Sequence, residues 1–94
     1  MIERDSGSGE GSGDPPSDGD YLGSVGLRIR LFRMARTLSQ DDLARMAMMS
    51  RVTLGSIERG DHAAGLLTYR RLARALGRDV AELVADGEVL PPRR

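Results

Sequence analysis

Apolar residues along the chain recur at helical spacing from Leu22 onward. Val25, Ile29 and Phe32 are four and three residues apart and mark one stripe of a first helix, from Leu22 to Ala35. Leu38, Leu43, Ala44 and Ala47 form a second stripe. Between the two lies Ser39-Gln40-Asp41-Asp42, a capping residue followed by acids in a first helical turn. The second helix is therefore predicted over Gln40 to Ala47. Ser50 opens a third helix running through Glu58, with Leu54 and Ile57 turned inward and Gly60 as the terminator. Only Met48 and Met49 intervene, so the second and third helices form a helix-turn-helix. A loop of small residues, Asp61 to Gly65, follows. Leu66, Tyr69, Leu72, Ala73 and Leu76 then predict a fourth helix ended by Gly77. Asp79 with Glu82 resembles a capping box and opens a short fifth helix carrying Val80, Leu83 and Val84. Pro91-Pro92 stop further helix. No strand pattern appears. The expected fold class is all-α, a compact five-helix bundle.

Composition divides the 94 residues into three stretches. Residues 1–20 carry six acids and one base among Gly, Ser and Pro. Such a segment buries too little apolar surface to offset its ordering entropy, so a disordered acidic tail is expected there. Residues 21–86 form the domain, and residues 87–94 a flexible C-terminal tail. The formal net charge of zero hides this division. From Gly23 to Arg78 there are eleven Arg against Asp41, Asp42, Glu58 and Asp61, a net of +7. A basic domain behind an acidic tail points to a polyanionic partner; the alternative is a solvated charged surface. All fourteen basic residues are Arg, whose planar fork donates in pairs. The absence of Cys removes disulfides and thiolate metal sites, and no cofactor or metal is expected. No apolar run is long enough to span a membrane, and the acidic start does not have the form of a signal peptide. The expected location is cytoplasmic, with nucleoid association when DNA is bound. With His62 as its one histidine and no Gly-rich phosphate loop, the chain has no evident catalytic set, and no enzyme is expected.

Six stretches in order carry a family resemblance: Gly26-Leu27-Arg28-Ile29-Arg30, Leu38-Ser39-Gln40-Asp41-Asp42-Leu43-Ala44, Ser50-Arg51-Val52-Thr53-Leu54, Ile57-Glu58-Arg59-Gly60, Leu72-Ala73-Arg74-Ala75-Leu76-Gly77 and Glu82-Leu83. Over residues 23–85 the chain resembles the Cro-like, xenobiotic-response-element-like helix-turn-helix proteins, the group of the lambdoid phage repressors. The resemblance implies that the third helix enters the DNA major groove, so that Arg51, Val52, Thr53 and Ser56 face base edges. Arg51 is the leading candidate. Its fork can pair with guanine O6 and N7, or it can contact a phosphate instead. Gln40 and Ser50, with Arg59, Arg36 and His62, are the candidate phosphate contacts. Arg33 and Glu58 match a structural ion pair joining the first helix to the end of the third. The resemblance further implies a homodimer on an inverted repeat of double-stranded DNA, acting as a repressor. A protein-binding adaptor, or an antitoxin-like module with weak DNA binding, is the alternative.

Some positions depart from the family pattern. Met48 and Thr37 stand where Gly is usual in the two tight turns; at Met48 either the turn relaxes or the residue accepts the strain of a positive φ against nearby packing. Gly55 leaves the DNA-facing side of the third helix without a side chain, which either allows close approach to DNA or weakens base reading. Leu27, Leu31 and Met34, with Met46 and Met48, exceed what a small core can take. They are either scattered surface residues or a partner patch.

Overall fold

The computed structural model describes residues 17–86; residues 1–16 of the tail expected over 1–20, and the tail expected over 87–94, lie outside the described residues. Five helices are present: α1 Asp18–Ala35, α2 Gln40–Met46, α3 Arg51–Arg59, α4 Leu66–Leu76 and α5 Val80–Val84. The described fold is all-helical, as the periodicity predicts. α1 packs against α3, α4 and α5, α2 against α3 and α4, and α4 against α5. One core joins them, with Ile29, Leu43, Leu54, Leu72 and Leu83 fully buried.

The helix boundaries follow local chemistry. Ser39 Oγ accepts from Asp42 N at 3.0 Å, and Asp42 Oδ2 accepts from Ser39 N at 3.0 Å, a reciprocal capping box. Ser50 Oγ accepts from Thr53 N at 3.0 Å and opens α3. Gly60 and Gly77 close α3 and α4 in the left-handed region, at φ 80° and 70°. α4 starts at Gly65 without a side-chain cap.

Three readings of the sequence need correction. α1 starts at Asp18, inside the stretch assigned to the tail, because Ser17 caps it through Asp20 N and Asp18 and Asp20 sit in its first turn. Leu66 is not part of the α4 core stripe. It occupies the first turn, beyond the edge of the core, and is 70% exposed; the buried stripe begins at Tyr69. Met46 is the last residue of α2, and Ala47 is its C-cap.

α1 organises the rest of the bundle. A Cβ on Gly26 would lie 2.3 Å from Ile57 O and 2.5 Å from Glu58 O. Only Gly lets the α1 backbone come this close to the end of α3. At the opposite edge of α1, Arg28 is buried and donates from Nη1 to Leu83 O at 3.0 Å and Ala85 O at 2.9 Å. The Tyr21 hydroxyl donates to Val84 O. These contacts satisfy the carbonyls left unpaired at the end of α5. Five residues cannot hold a helix unaided, so α5 depends on α1.

Both turns lacking Gly keep the left-handed backbone, so Met48 accepts the strain and its turn does not relax. Thr37 sits at φ 55° and Met48 at φ 60°. Met48 N donates to Arg45 O and Met49 N to Ala44 O, which fixes the α2–α3 turn despite that strain.

Candidate nucleic-acid interface

Helix α3 divides sharply into two faces. Leu54, Ile57 and Glu58 are buried, while Arg51, Val52 and Arg59 are exposed and Ser56 is half-buried between them. Val52 is 75% exposed, high for an aliphatic residue with nothing packed on it. The first turn of α2 lies beside this outer face. Asp41 Oδ1 stands 3.8 Å from Arg51 Nε near the start of α3, and Gln40 reaches Glu58 near its end.

Beneath the face lies a closed polar network. Arg33 Nε donates to Glu58 Oε2 at 2.7 Å and Arg33 Nη2 to Glu58 Oε1 at 3.0 Å. Arg33 Nη1 donates to Leu38 O at 2.9 Å. The two side chains are 12% and 3% exposed, so this is a nearly desolvated bidentate pair. Gln40 Nε2 completes it, donating to Glu58 Oε1 at 3.0 Å. A carboxylate only accepts, so the amide nitrogen of Gln40 faces Glu58 and its Oε1 is left on the side of Gly55. The resemblance makes Gln40 a candidate phosphate contact; the structure adds that Glu58 sets its orientation.

The reading of Gly55 as open to a DNA backbone is not what the structure shows. Gly55 is buried, and a Cβ there would lie 3.2 Å from Arg59 Nη1 and 4.0 Å from Gln40 Oε1. The slot left by the missing side chain is roofed by the protein's own Arg59 and Gln40. Arg59 is further held by Asp61 Oδ2 at 3.0 Å and by Ser56 Oγ at 3.2 Å. Arg51 has only its distant Asp41.

The remaining candidates fall into three groups. Ser50 and Thr53 are joined, the Ser50 hydroxyl donating to Thr53 Oγ1 at 2.9 Å, which leaves the Thr53 hydroxyl hydrogen free to point elsewhere. His62 is exposed in the loop after α3. Arg36 is employed elsewhere: its Nη1 donates to Ala75 O at 3.0 Å, at the C-terminal end of α4, where a cation complements the helix dipole. Sequence reasoning missed Arg28, although it lies on the same helical stripe as Val25 and Phe32.

Charge on this face is nearly balanced. Arg45, Arg51 and Arg59 stand opposite Asp42, Asp41 and Asp61, at 3.0, 3.8 and 3.0 Å. With Arg33 on Glu58, these pairs take up every acid between Gly23 and Arg78. The excess of seven arginines therefore lies outside the α2–α3 face, on α1, on α4 and just beyond their ends. Asp42 is held below the usual aspartate range, first by the Ser39 backbone N–H, then by the Ser39 hydroxyl, then by Arg45. Among the described residues no group of three or more His, Asp or Glu side chains could hold a metal ion, and no helix is long and apolar enough to cross a membrane.

Two short helices at a tight turn, the second offering one outward face, define a helix-turn-helix module. The chain belongs to the helix-turn-helix family, whose model matches residues 29–83. It is 40% identical over 63 residues to an immunity repressor protein of Bacillus phage phi105, a match covering 67% of this chain and 44% of that protein. The chain thus spans less than half the length of that relative. Among solved structures, a restriction-modification controller protein from Aeromonas hydrophila is 37% identical with a TM-score of 0.65, covering 66% of this chain and 94% of that one. A hypothetical transcription factor from Neisseria is 29% identical with a TM-score of 0.67, covering 84% and 85%.

Proposed function

We propose that this protein is a sequence-specific regulator of transcription that binds double-stranded DNA through α3, acting as a homodimeric repressor on an inverted repeat. The observation that carries this is the division of α3, which buries Leu54, Ile57 and Glu58 and presents Arg51, Val52, Ser56 and Arg59 together. The kinship with a phage immunity repressor supports the sign of regulation. Arg51, held only by Asp41 at 3.8 Å, reads a guanine, and Val52 meets a thymine methyl group. Arg59, Ser50, Gln40 and His62 contact flanking phosphates. Gln40 is presented by the Glu58–Arg33 network, so it enters the interface already oriented.

The balanced charge of this face favours one other reading, a protein-binding adaptor whose surface includes Val52 and Met48, 75% and 77% exposed. Salt dependence separates the two. Binding of fluorescent duplex DNA is measured by anisotropy from about 50 to 200 mM salt. A regulator touching several phosphates shows log affinity falling steeply and linearly with log salt. A flat, weak response would reject DNA binding in favour of the adaptor.

A further inference from the structure

We propose that the acidic segment preceding α1, residues 1–16, docks in an arginine-lined groove between α4 and α5, on a surface separate from the α2–α3 face. The groove encloses about 500 Å³ and is lined by Arg70, Arg74 and Arg78 from one side and by Asp79, Val80 and Ala81 from the other. Of its cations, Arg78 is engaged by Glu82 at 3.4 Å and lies over the Phe32 ring at 4.5 Å. Arg70 and Arg74 are exposed, and no carboxylate of the described residues lies within ion-pair distance of either. α4 itself carries no acid from Leu66 to Leu76.

Charge complementarity selects the occupant. Residues 1–16 hold Glu3, Asp5, Glu10 and Asp14 against Arg4, a net of −3. The arginines of the α2–α3 face already have carboxylates of their own, so an acidic segment gains little by approaching them. Arg70 and Arg74 offer unmatched positive charge.

Connectivity permits the contact. α1 begins beside the end of α5, because Tyr21 donates to Val84 O. Val80 and Ala81, at the other end of α5, are about 6 Å of helix away and line the groove. Sixteen residues can reach at most about 55 Å, several times this distance. Each ion pair is exposed and individually weak, so the attraction is collective and is screened by salt.

The 94-residue chain contains no Cys, so Ser8→Cys in it takes a single nitroxide label. Paramagnetic broadening of backbone amides then reports where the segment resides. The expected result at low salt is loss of intensity at Arg70, Arg74 and Ala81, restored at about 1 M salt, where the Debye length is about 3 Å. The same broadening should disappear in Arg70→Ala/Arg74→Ala. It should also disappear when Glu3, Asp5, Glu10 and Asp14 are replaced by their amides, a variant that leaves every described residue unchanged. Broadening centred on α2 and α3, broadening confined to the start of α1, or groove broadening that survives these substitutions would each overturn the proposal.

Discussion

Arg33 and Glu58, on different helices, meet in a bidentate pair of 2.7 and 3.0 Å, and the same carboxylate holds Gln40 at 3.0 Å. One acid thereby ties α1 and the end of α3 to the start of α2. Glu58→Ala would strand the largely desolvated Arg33 guanidinium and should cost about 3 kcal/mol of folding stability, read by urea denaturation. It should also weaken DNA binding by releasing Gln40. A loss below about 1 kcal/mol would show that water replaces the carboxylate and that the pair is not structural.

Two glycines of α1 should respond in opposite directions. A Cβ on Gly26 would collide with the carbonyls of Ile57 and Glu58, and backbone cannot swing aside as a side chain can. Gly26→Ala should destabilise by about 2 kcal/mol or more. A Cβ on Gly23 would meet nothing within 4 Å, so Gly23→Ala should stabilise by about 0.5–1 kcal/mol through helix propensity alone. Thermal denaturation of the two variants against the parent checks both signs.

Thr37 holds a left-handed conformation at φ 55°, which a β-branched residue adopts at a cost of roughly 1–2 kcal/mol. Thr37→Gly should therefore stabilise the fold by about 1 kcal/mol despite the added freedom of the unfolded chain. An unchanged or lower denaturation midpoint would mean that the strain is relieved in some other way.

Asp42 gives the stability a pH dependence whose sign follows from its contacts with Ser39 and Arg45. Its carboxyl group titrates lower in the folded protein than ordinary aspartate because Ser39 and Arg45 favour the charged form. Its contribution is therefore present above the unfolded-state value and is lost as pH falls through the folded one. The stability gap between the parent protein and Asp42→Ala should be full at neutral pH and shrink as pH drops below about 4. A gap of constant size across that range would contradict the assignment.

The signals that were legible in the sequence are local ones. Ser39 before Asp41 and Asp42, Ser50 before Leu54 and Ile57, and the glycines at 60 and 77 each act within a turn of their own helix, so spacing alone located them. Met48 and Thr37 stood out because glycine is usual at those turns, and both are strained. The start of α1 was hidden because its cap and acids, Ser17, Asp18 and Asp20, blend into the acidic run before them. Arg28 and Gly26 act only through tertiary contact, with carbonyls 55 and about 31 residues away along the chain. Nothing nearby in sequence announces such partners. At Gly55, sequence indicates a missing side chain but not that Arg59 and Gln40 fill its place.

In the proposed function α3 reads DNA sequence, with Arg51 as its main reader. Selection of tight-binding duplexes from a random pool, run with the parent protein and with Arg51→Ala, tests it most directly. Arg51 is exposed on the surface, so its removal should leave the fold intact. The expected result is an enriched inverted repeat, with a guanine in each half-site whose preference disappears in the variant. No enriched motif from the parent protein, or an identical motif from both, would contradict it.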